Sequence, residues 1–255
     1  MSNAELFKTV AREYANFRPG YPPELFAWLA RVAPSREDVW DCGCGSGQAS
    51  VALADHFARV HATDVSPEQV AAAKPHAHVD YRVAPAESSG LPAASVDLVT
   101  VAQALHWFDV PAFYVEARRV MRPQAVIAVW NYPRPRFVDA AFDARFLDFY
   151  TNVVGSHWPA ERRHIEANYS TLPPFPPDLE PLAAPEFALT LDWTLPQVLG
   201  YVSSWSATAR YKKANGTDPV PLLAASLAGI WPGAGARVTL RMPLGLHAAR
   251  ATPRG

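Results

Sequence analysis

A glycine-rich segment gives the clearest indication of chemistry in this sequence. Residues 41–47 read Asp-Cys-Gly-Cys-Gly-Ser-Gly, directly after the apolar pair Val39-Trp40 and before a segment of helical spacing from Gln48 to Phe57. Glycines between a strand and a helix let the backbone turn tightly and approach a ligand, because no Cβ stands in the way. The first amide groups of the helix add unpaired donors. We therefore expect a ligand at this loop.

The spacing of the glycines argues against two common ligands of such loops, a dinucleotide and the phosphates of a P-loop. A dinucleotide-binding loop requires glycine at the first, third and sixth positions, but the sixth position counted from Gly43 is Gln48. A phosphate-binding P-loop requires Gly-Lys-Ser/Thr, which does not follow here. Asp41, at the strand end, suits a cationic amino group better than a pyrophosphate, which it would repel. A nucleotide-dependent oxidoreductase is thus disfavoured but stays an alternative.

A second acidic residue, Asp64, lies where a parallel sheet would bring it to the same edge of the sheet as the glycine-rich segment. Asp64 ends the apolar run 60–63, 21 residues after Gly43. An acid at the end of the second strand can accept hydrogen bonds from both ribose hydroxyls of a nucleoside. Ser66-Pro67 is typical of a helix N-cap, so Asp64 is not needed to cap the next helix. We predict that Asp64 binds a ribose.

A polar and aromatic segment follows the fourth apolar run. Residues 102–109 read Ala-Gln-Ala-Leu-His-Trp-Phe-Asp. Ligands of open α/β sheets lie in the crevice beyond the carboxyl ends of the strands. We therefore expect Gln103, His106 and Trp107 to line a ligand site, whereas Phe108 is expected in the core. His106 is the predicted catalytic residue, as a base for an acceptor that must lose a proton.

The elements that position these residues follow from alternation along the chain. Apolar runs occur at 38–40, 60–63, 79–83, 96–101 and 125–130, and segments of helical spacing occur at 24–32, 48–57, 67–73 and 110–121. Strands separated by helices indicate βαβ units and a parallel sheet. Runs without polar alternation are typical of strands covered on both faces.

Composition excludes several classes of protein. The 255 residues are 49% hydrophobic with a net charge of −1, which disfavours both disorder and a dedicated nucleic-acid binder. The only two cysteines are one residue apart, too close for an ordinary disulfide and too few for a zinc site, so no metal is expected. No apolar run approaches the roughly 20 residues of a membrane span. We expect a cytoplasmic protein, monomeric or homodimeric, without a membrane or nucleic-acid partner.

The loop 41–47 resembles the defining motif of the class I S-adenosylmethionine-dependent methyltransferases. Segments 13–22, 106–109 and 204–208 are similar to a subgroup that includes methyltransferase type 11-like and trans-aconitate methyltransferase-like enzymes. One departure is Met121-Arg122-Pro123-Gln124-Ala125, a segment in which the family often has a glycine pair before the fifth strand.

The resemblance implies cofactor contacts for ten residues. S-adenosylmethionine would be bound, and S-adenosylhomocysteine released, by Asp41, Gly43, Gly45, Gly47, Asp64, Ala86, Glu87, Gln103, Tyr14 and Arg18. Ala86 and Glu87 would border the adenine, and Tyr14 and Arg18 would lie in a lid near the cofactor carboxylate. A guanidinium suits that position because it pairs with carboxylates.

The resemblance also implies the architecture. We expect a Rossmann-like three-layer α/β sandwich, with a seven-stranded, mostly parallel sheet whose last strand is antiparallel and a helical cap inserted after the fifth strand. A single methyltransferase domain over 1–255 would comprise an N-terminal helical lid (1–33), a cofactor-binding half (34–131), a helical and proline-rich substrate cap (132–185) and C-terminal strands and helices that complete the sheet (186–255).

The expected reaction is in-line methyl transfer to a small-molecule acceptor, EC class 2.1.1.-. Trp107, Trp158 and Trp205 are predicted to contact the acceptor. A carboxylic acid would need cations to position it, and the candidates are Arg134, Arg136, Arg162, Arg163, His164 and Lys212. A catalytically silent module that binds S-adenosylmethionine is the other alternative.

Overall fold

The computed structural model describes residues 20–252, in which ten strands follow the chain. Their bounds are β1 Asp38–Cys42, β2 Arg59–Asp64, β3 Val79–Val83, β4 Val96–Ala102, β5 Met121–Asn131, β6 Arg136–Phe137, β7 Leu179–Pro181, β8 Ala188–Thr194, β9 Arg237–Pro243 and β10 Gly245–Ala251.

The α-helices lie between these strands. Their bounds are α1 Pro23–Val32, α2 Gln48–Ala54, α3 Pro67–Ala71, α4 Val110–Val120, α5 Ala140–Asp148, α6 Arg162–Glu166, α7 Leu195–Ser203, α8 Ser206–Asn215 and α9 Val220–Ala228. Short 3-10 turns at Leu105–Trp107 and Gly155–His157 and a π-helical turn at Phe149–Val153 complete the helical structure of the described chain.

Seven strands form the main sheet, in the order β3-β2-β1-β4-β5-β10-β7. The pairs among β1 to β5 are parallel, whereas β10 runs antiparallel to both of its neighbours, β5 and β7. The predicted mostly parallel α/β sheet with an antiparallel last strand is confirmed. The order places the carboxyl ends of β1, β2 and β4 along one edge, which is the edge that carries the site.

The main sheet is apolar on both faces because helices cover both. Neighbouring residues of β1 belong to different apolar clusters: Val39 packs with Leu25 of α1 and Leu53 of α2, and Trp40 packs with Phe113 of α4. All five residues of β1 are buried. This is the reason that the strand sequences lack polar alternation.

The chain divides into two compact units. One comprises 20–133, 163–187 and 243–252 of the described residues and contains the main sheet; the other comprises 134–162 and 188–242. The second unit contains a three-stranded sheet of order β6-β9-β8 and the helices α5, α7, α8 and α9.

These boundaries differ from the predicted segments in two places. Within 132–185, assigned to the substrate cap, β7 pairs with β10 in the main sheet. Within 186–255, assigned to completing that sheet, only β10 joins it, because β8 and β9 belong to the three-stranded sheet. Proline at position 243 lacks the N–H needed to extend β9, and a new strand begins at Gly245.

Within residues 20–252, no helix is both long and apolar enough to cross a membrane.

Candidate active site

The loop between β1 and α2 depends on three glycines with left-handed backbone. The φ angles of Gly43, Gly45 and Gly47 are +69°, +54° and +84°. A Cβ at Gly43 would approach the Cβ of Ala104 to 2.6 Å, and a Cβ at Gly47 would collide with the Tyr81 hydroxyl. At Gly45 the nearest atom to such a Cβ would be Gln69 Oε1, 3.9 Å away. The open side of the loop is therefore at Gly45, where a ligand can approach the backbone.

Asp41 lies behind this loop and is completely buried. Its carboxylate accepts hydrogen bonds from Ser50 Oγ at 2.6 Å and from Thr100 Oγ1 at 2.9 Å. Burial raises the pKa of Asp41 from 3.8 to about 6. Asp41 thereby ties β1 to α2 and β4, which fixes the start of the loop. Its contact with a cationic ligand stays a prediction.

Asp64 and the glycine loop lie together, as their positions at strand ends predict. Asp64 Oδ2 accepts a hydrogen bond from the amide of Gly45 at 2.8 Å, and Oδ1 accepts one from the amide of Ser66 at 2.9 Å. Burial also raises the pKa of Asp64. Ser66 caps α3 by accepting from the amide of Gln69, so the predicted N-cap is confirmed.

The Ala86-Glu87 pair lies on a loop that is fixed to α4. Ala86 is buried, and Glu87 Oε1 accepts a hydrogen bond from the amide of Asp109 at 3.0 Å. Farther along the loop, the amide of Ser89 donates to Glu116 Oε1 at 2.8 Å. The guanidinium of Arg119 hydrogen-bonds Glu116 and lowers its pKa to about 2. The segment predicted to border an adenine is thus held at two points along one helix.

Gln103 has an unusual backbone and an unpaired amide. Its φ is +60°, its backbone amide donates to Trp130 O at 2.9 Å, and its Nε2 is buried without a hydrogen-bond partner among residues 20–252. A non-glycine residue with positive φ is uncommon, and such residues cluster at functional sites. Gln103 therefore combines two signs of a binding position.

His106 and Trp107 lie in the 3-10 turn that follows. Their rings are 4.6 Å apart between centroids, and His106 Nδ1 lies 3.4 Å from the hydroxyl of Tyr169. The rings of His106 and Tyr169 are stacked with a centroid separation of 6.1 Å. Phe108 packs against the core, as expected. The catalytic role of His106 stays a prediction.

Four residues near the site do not stand out in the sequence. Tyr81 covers Gly47, Asn131 ends β5 in a fully buried position, and Asn168 and Tyr169 reach the end of the sheet from the segment after α6. Asn131 could have been found, because it directly follows the apolar run 125–130 at a strand end. Asn168 and Tyr169 carry no local signal, since only the tertiary fold brings them to the strand ends.

Two predicted acceptor contacts, Trp158 and Trp205, belong to the other compact unit. Their rings lie 5.3 Å apart at 45°, and the guanidinium carbon of Arg162 lies 4.6 Å from the Trp158 ring centroid. Trp205 is buried, and burial is as typical of a tryptophan in the core as of one that contacts a ligand. The predicted lid residues Tyr14 and Arg18 lie outside the described residues.

Several of the predicted acceptor-binding cations already have partners. Arg134 forms a bidentate ion pair with Asp143 at 2.7 and 2.9 Å, and Lys212 pairs with Asp218 at 2.8 Å. Arg162 donates to the Tyr150 hydroxyl at 2.9 Å. In the part of the chain that the structure describes, no cluster of three or more His, Cys, Asp or Glu side chains could hold a metal ion.

Comparisons with known proteins agree with this geometry. The family model Methyltransf_11, a methyltransferase domain, matches residues 40–129. A Dictyostelium discoideum protein provisionally named a methyltransferase is 34% identical over 84% of this chain and 82% of its own. A Saccharomyces cerevisiae protein, provisionally named an S-adenosylmethionine-dependent methyltransferase, is 25% identical over 81% of this chain and 82% of its own.

A solved structure is similar over almost the whole chain. It is that of a provisionally assigned type II methyltransferase from Anaeromyxobacter dehalogenans, with 44% identity, a TM-score of 0.86, and coverage of 93% of this chain and 100% of the other. The chain belongs to the class I S-adenosylmethionine-dependent methyltransferases.

Proposed function

We propose that this protein methylates a small-molecule acceptor that binds at the carboxyl edge of the main sheet, beside Gln103 and His106. The observation that supports this proposal is the convergence of the glycine loop, Asp64 and the unpaired Gln103 amide on the ends of β1, β2 and β4. Side chains that converge on the strand ends of an α/β sheet are typical of a ligand site.

The residues present fit S-adenosylmethionine. Gly45 leaves space beside the loop backbone, and Asp64 lies against that loop. A carboxylate oxygen can accept more than one hydrogen bond, so Asp64 can bind ribose hydroxyls without releasing the amides of Gly45 and Ser66. Ala86 and Glu87 would border the adenine, and Gln103 Nε2 offers a donor to the methionine part or to the acceptor.

The chemistry of transfer needs little from the protein beyond alignment. When bound, the cofactor supplies a methyl group on a positively charged sulfur, which is activated toward in-line displacement. The side chains at the strand ends orient the acceptor and exclude water. An acceptor hydroxyl or amine would lose its proton to the imidazole of His106, whose ring is held by Trp107 and Tyr169. A carboxylate acceptor would need no base.

Calorimetric titration tests the cofactor site directly. Wild-type protein is titrated with S-adenosylmethionine, S-adenosylhomocysteine and NAD, beside Asp64→Ala and the control Asp80→Ala. Asp80 is a half-exposed acid on the neighbouring strand β3, so the control makes the same chemical change outside the site. We expect both adenosyl ligands to bind wild type and the control, Asp64→Ala to lose most of this affinity, and NAD not to bind.

The acceptor is tested with cofactor labelled in the methyl group. Incorporation is followed in extract fractions that contain small molecules, protein or RNA. Label in the small-molecule fraction, absent with Asp64→Ala, is the expected result. Label in protein or RNA would contradict the proposed acceptor class, and adenosyl binding without transfer would instead favour a catalytically silent module.

A further inference from the structure

Two side-chain amides at the ends of β4 and β5 each have a buried polar atom without a hydrogen-bond partner among residues 20–252. The Asn131 side chain is 0% exposed, and its Oδ1 lacks a hydrogen-bond partner within residues 20–252, as does Gln103 Nε2. Buried polar atoms are nearly always paired in folded proteins, and the exceptions call for a ligand, a water or a catalytic role. Asn131 Oδ1 is a hydrogen-bond acceptor, and Gln103 Nε2 is a donor.

The two amides lie side by side at the carboxyl edge of the sheet. Ala102 pairs with Trp130 in the parallel ladder of β4 and β5, and the next amide, that of Gln103, donates to Trp130 O at 2.9 Å. Neighbouring strands lie about 4.8 Å apart, so the backbones of Gln103 and Asn131 are adjacent. Val101 and Val129, each two residues earlier, pack in one apolar cluster with Tyr169.

A third amide fixes the orientation of Asn131. Asn131 Nδ2 donates to Asn168 Oδ1 at 3.2 Å, which leaves Asn131 Oδ1 as the unpaired atom. The Asn168 amide lies where a Cβ on Gly245 would be, so glycine at 245 is required for this approach. The backbone carbonyl of Asn168 is held in turn by His247 Nε2 at 2.8 Å. We call Gln103, Asn131 and Asn168 the amide cluster.

Flat rings adjoin the amide cluster. Tyr169, next to Asn168 in the chain, stacks on His106, which in turn contacts Trp107. The side chains linked here by hydrogen bonds are amides, an imidazole and a phenol, and among residues 20–252 no charged side chain is hydrogen-bonded to any of the three side-chain amides. Such surroundings favour a planar, uncharged molecule.

We infer that the amide cluster binds the hydroxyl group of an uncharged, phenol-like methyl acceptor. Before transfer, the hydroxyl oxygen accepts a hydrogen bond from Gln103 Nε2 and the hydroxyl hydrogen is donated to Asn131 Oδ1. An amide oxygen is not a base, so the proton leaves to His106 as the methyl group is transferred. This inference rests on the proposed function, because it names the acceptor class of the same site.

A carboxylate satisfies this arrangement poorly. It can accept from Gln103 Nε2, but it has no hydrogen to donate and would place negative charge against Asn131 Oδ1. Leaving one buried acceptor unpaired weakens binding roughly tenfold or more. The amide cluster therefore discriminates between a phenol and the corresponding carboxylate.

Binding of phenol and benzoate by ligand-observed NMR tests this inference without requiring turnover. The two probes share a ring and differ in the polar group. They are titrated into wild type saturated with S-adenosylhomocysteine, and into the Asn131→Leu and Gln103→Met variants, which keep side-chain volume. Gln124→Met is the matched control, because Gln124 is an exposed glutamine near the opposite end of β5 that also has positive φ.

We expect phenol to bind wild type and Gln124→Met with equal affinity, and benzoate to bind at least roughly tenfold more weakly. Asn131→Leu and Gln103→Met should weaken phenol binding by a similar factor, while Asn131→Leu keeps its affinity for S-adenosylhomocysteine, which shows that it is folded. Equal binding of benzoate, unchanged phenol binding by Asn131→Leu, or no phenol binding would overturn the inference. Loss of S-adenosylhomocysteine binding by wild type would instead contradict the proposed function.

Discussion

At the scale of single residues, the buried Asp41 makes folding stability depend on pH. Its pKa rises from 3.8 to about 6 on folding, so between these values the folded chain binds more protons than the unfolded chain. The contribution of Asp41 to the free energy of unfolding therefore falls as pH rises from 4 to 6 and is level above 6. A rise of this size corresponds to roughly 3 kcal/mol at most.

The Asp41→Asn variant isolates this effect. Asparagine keeps an oxygen for the Ser50 or Thr100 hydroxyl but does not titrate. We expect the free energy of unfolding of wild type, relative to Asp41→Asn, to decrease by about 2–3 kcal/mol between pH 4 and pH 7. Urea denaturation at several pH values measures this difference. A difference that is constant with pH would show that Asp41 titrates normally.

Gln124 is a second residue whose environment predicts a measurable effect. It has φ +63° at an exposed position near the start of β5. Left-handed backbone costs a non-glycine residue about 1–2 kcal/mol, whereas glycine loses roughly 0.5–1 kcal/mol through the entropy of the unfolded chain. We expect Gln124→Gly to raise the free energy of unfolding by about 0.5–1 kcal/mol.

The control for this substitution is Gln197→Gly in α7, where glycine replaces a helical residue of the capping box. The control should lose roughly 1 kcal/mol or more, the opposite sign. Equal losses in both variants, measured by urea denaturation, would mean that the backbone of Gln124 is not strained.

At the scale of elements, α4 positions the loop predicted to border the adenine. Glu116 accepts from the Ser89 amide, and Arg119 donates both to Glu116 and to the Leu91 carbonyl at 2.7 Å. We expect Glu116→Ala to lower the free energy of unfolding by roughly 1–3 kcal/mol, because the Ser89 amide and the guanidinium lose their partner. It should also weaken binding of S-adenosylhomocysteine severalfold, since Ala86 and Glu87 are no longer held.

Calorimetry and urea denaturation of the same sample separate the two parts of this prediction. Glu186→Ala, at an exposed glutamate, is the control and should change neither quantity. A Glu116→Ala protein that is less stable but binds S-adenosylhomocysteine normally would restrict Glu116 to a structural role.

Elements also show which parts of the site a sequence can reveal. Loop 41–47 and Asp64 were predictable because each lies at the carboxyl end of its own strand, so local spacing places both at one edge of the sheet. The contacts of Asn168 and Tyr169 were not predictable, because each joins parts of the chain that are far apart. Asn168 contacts a residue 37 positions earlier, and Tyr169 contacts one 63 positions earlier. The sheet to which β9 belongs depends on the tertiary fold in the same way, because the pairing of Arg136 with Arg241 places β9 in the three-stranded sheet and not beside β10.

At the scale of the whole molecule, the two edges of the main sheet have different roles. The carboxyl edge carries the glycine loop, Asp64 and the amide cluster. At the amino edge, Arg122 near the start of β5 donates to Asp97 at 2.7 Å and to Asp38 at 3.0 Å. Both carboxylates are buried, and the backbone amide of Asp38 also donates to Asp97. Sequence predicted strands that begin near these residues, but not that one arginine joins three of them.

This separation predicts that stability and ligand binding can be changed independently. Arg122→Met introduces an apolar side chain that leaves the buried Asp97 without a guanidinium and leaves Asp38 with only Arg59 and His61 as partners, so we expect the free energy of unfolding to fall by roughly 2–4 kcal/mol. Arg82→Met removes an exposed ion pair with Asp80 and should change it by less than about 0.5 kcal/mol. Affinity for S-adenosylhomocysteine, measured on the folded fraction, should be unchanged in both variants, because Arg122 lies a full strand length from the glycine loop. Weaker ligand binding by folded Arg122→Met would show that the amino edge controls the site at the opposite edge, and an unchanged stability would show that the buried carboxylates do not need Arg122.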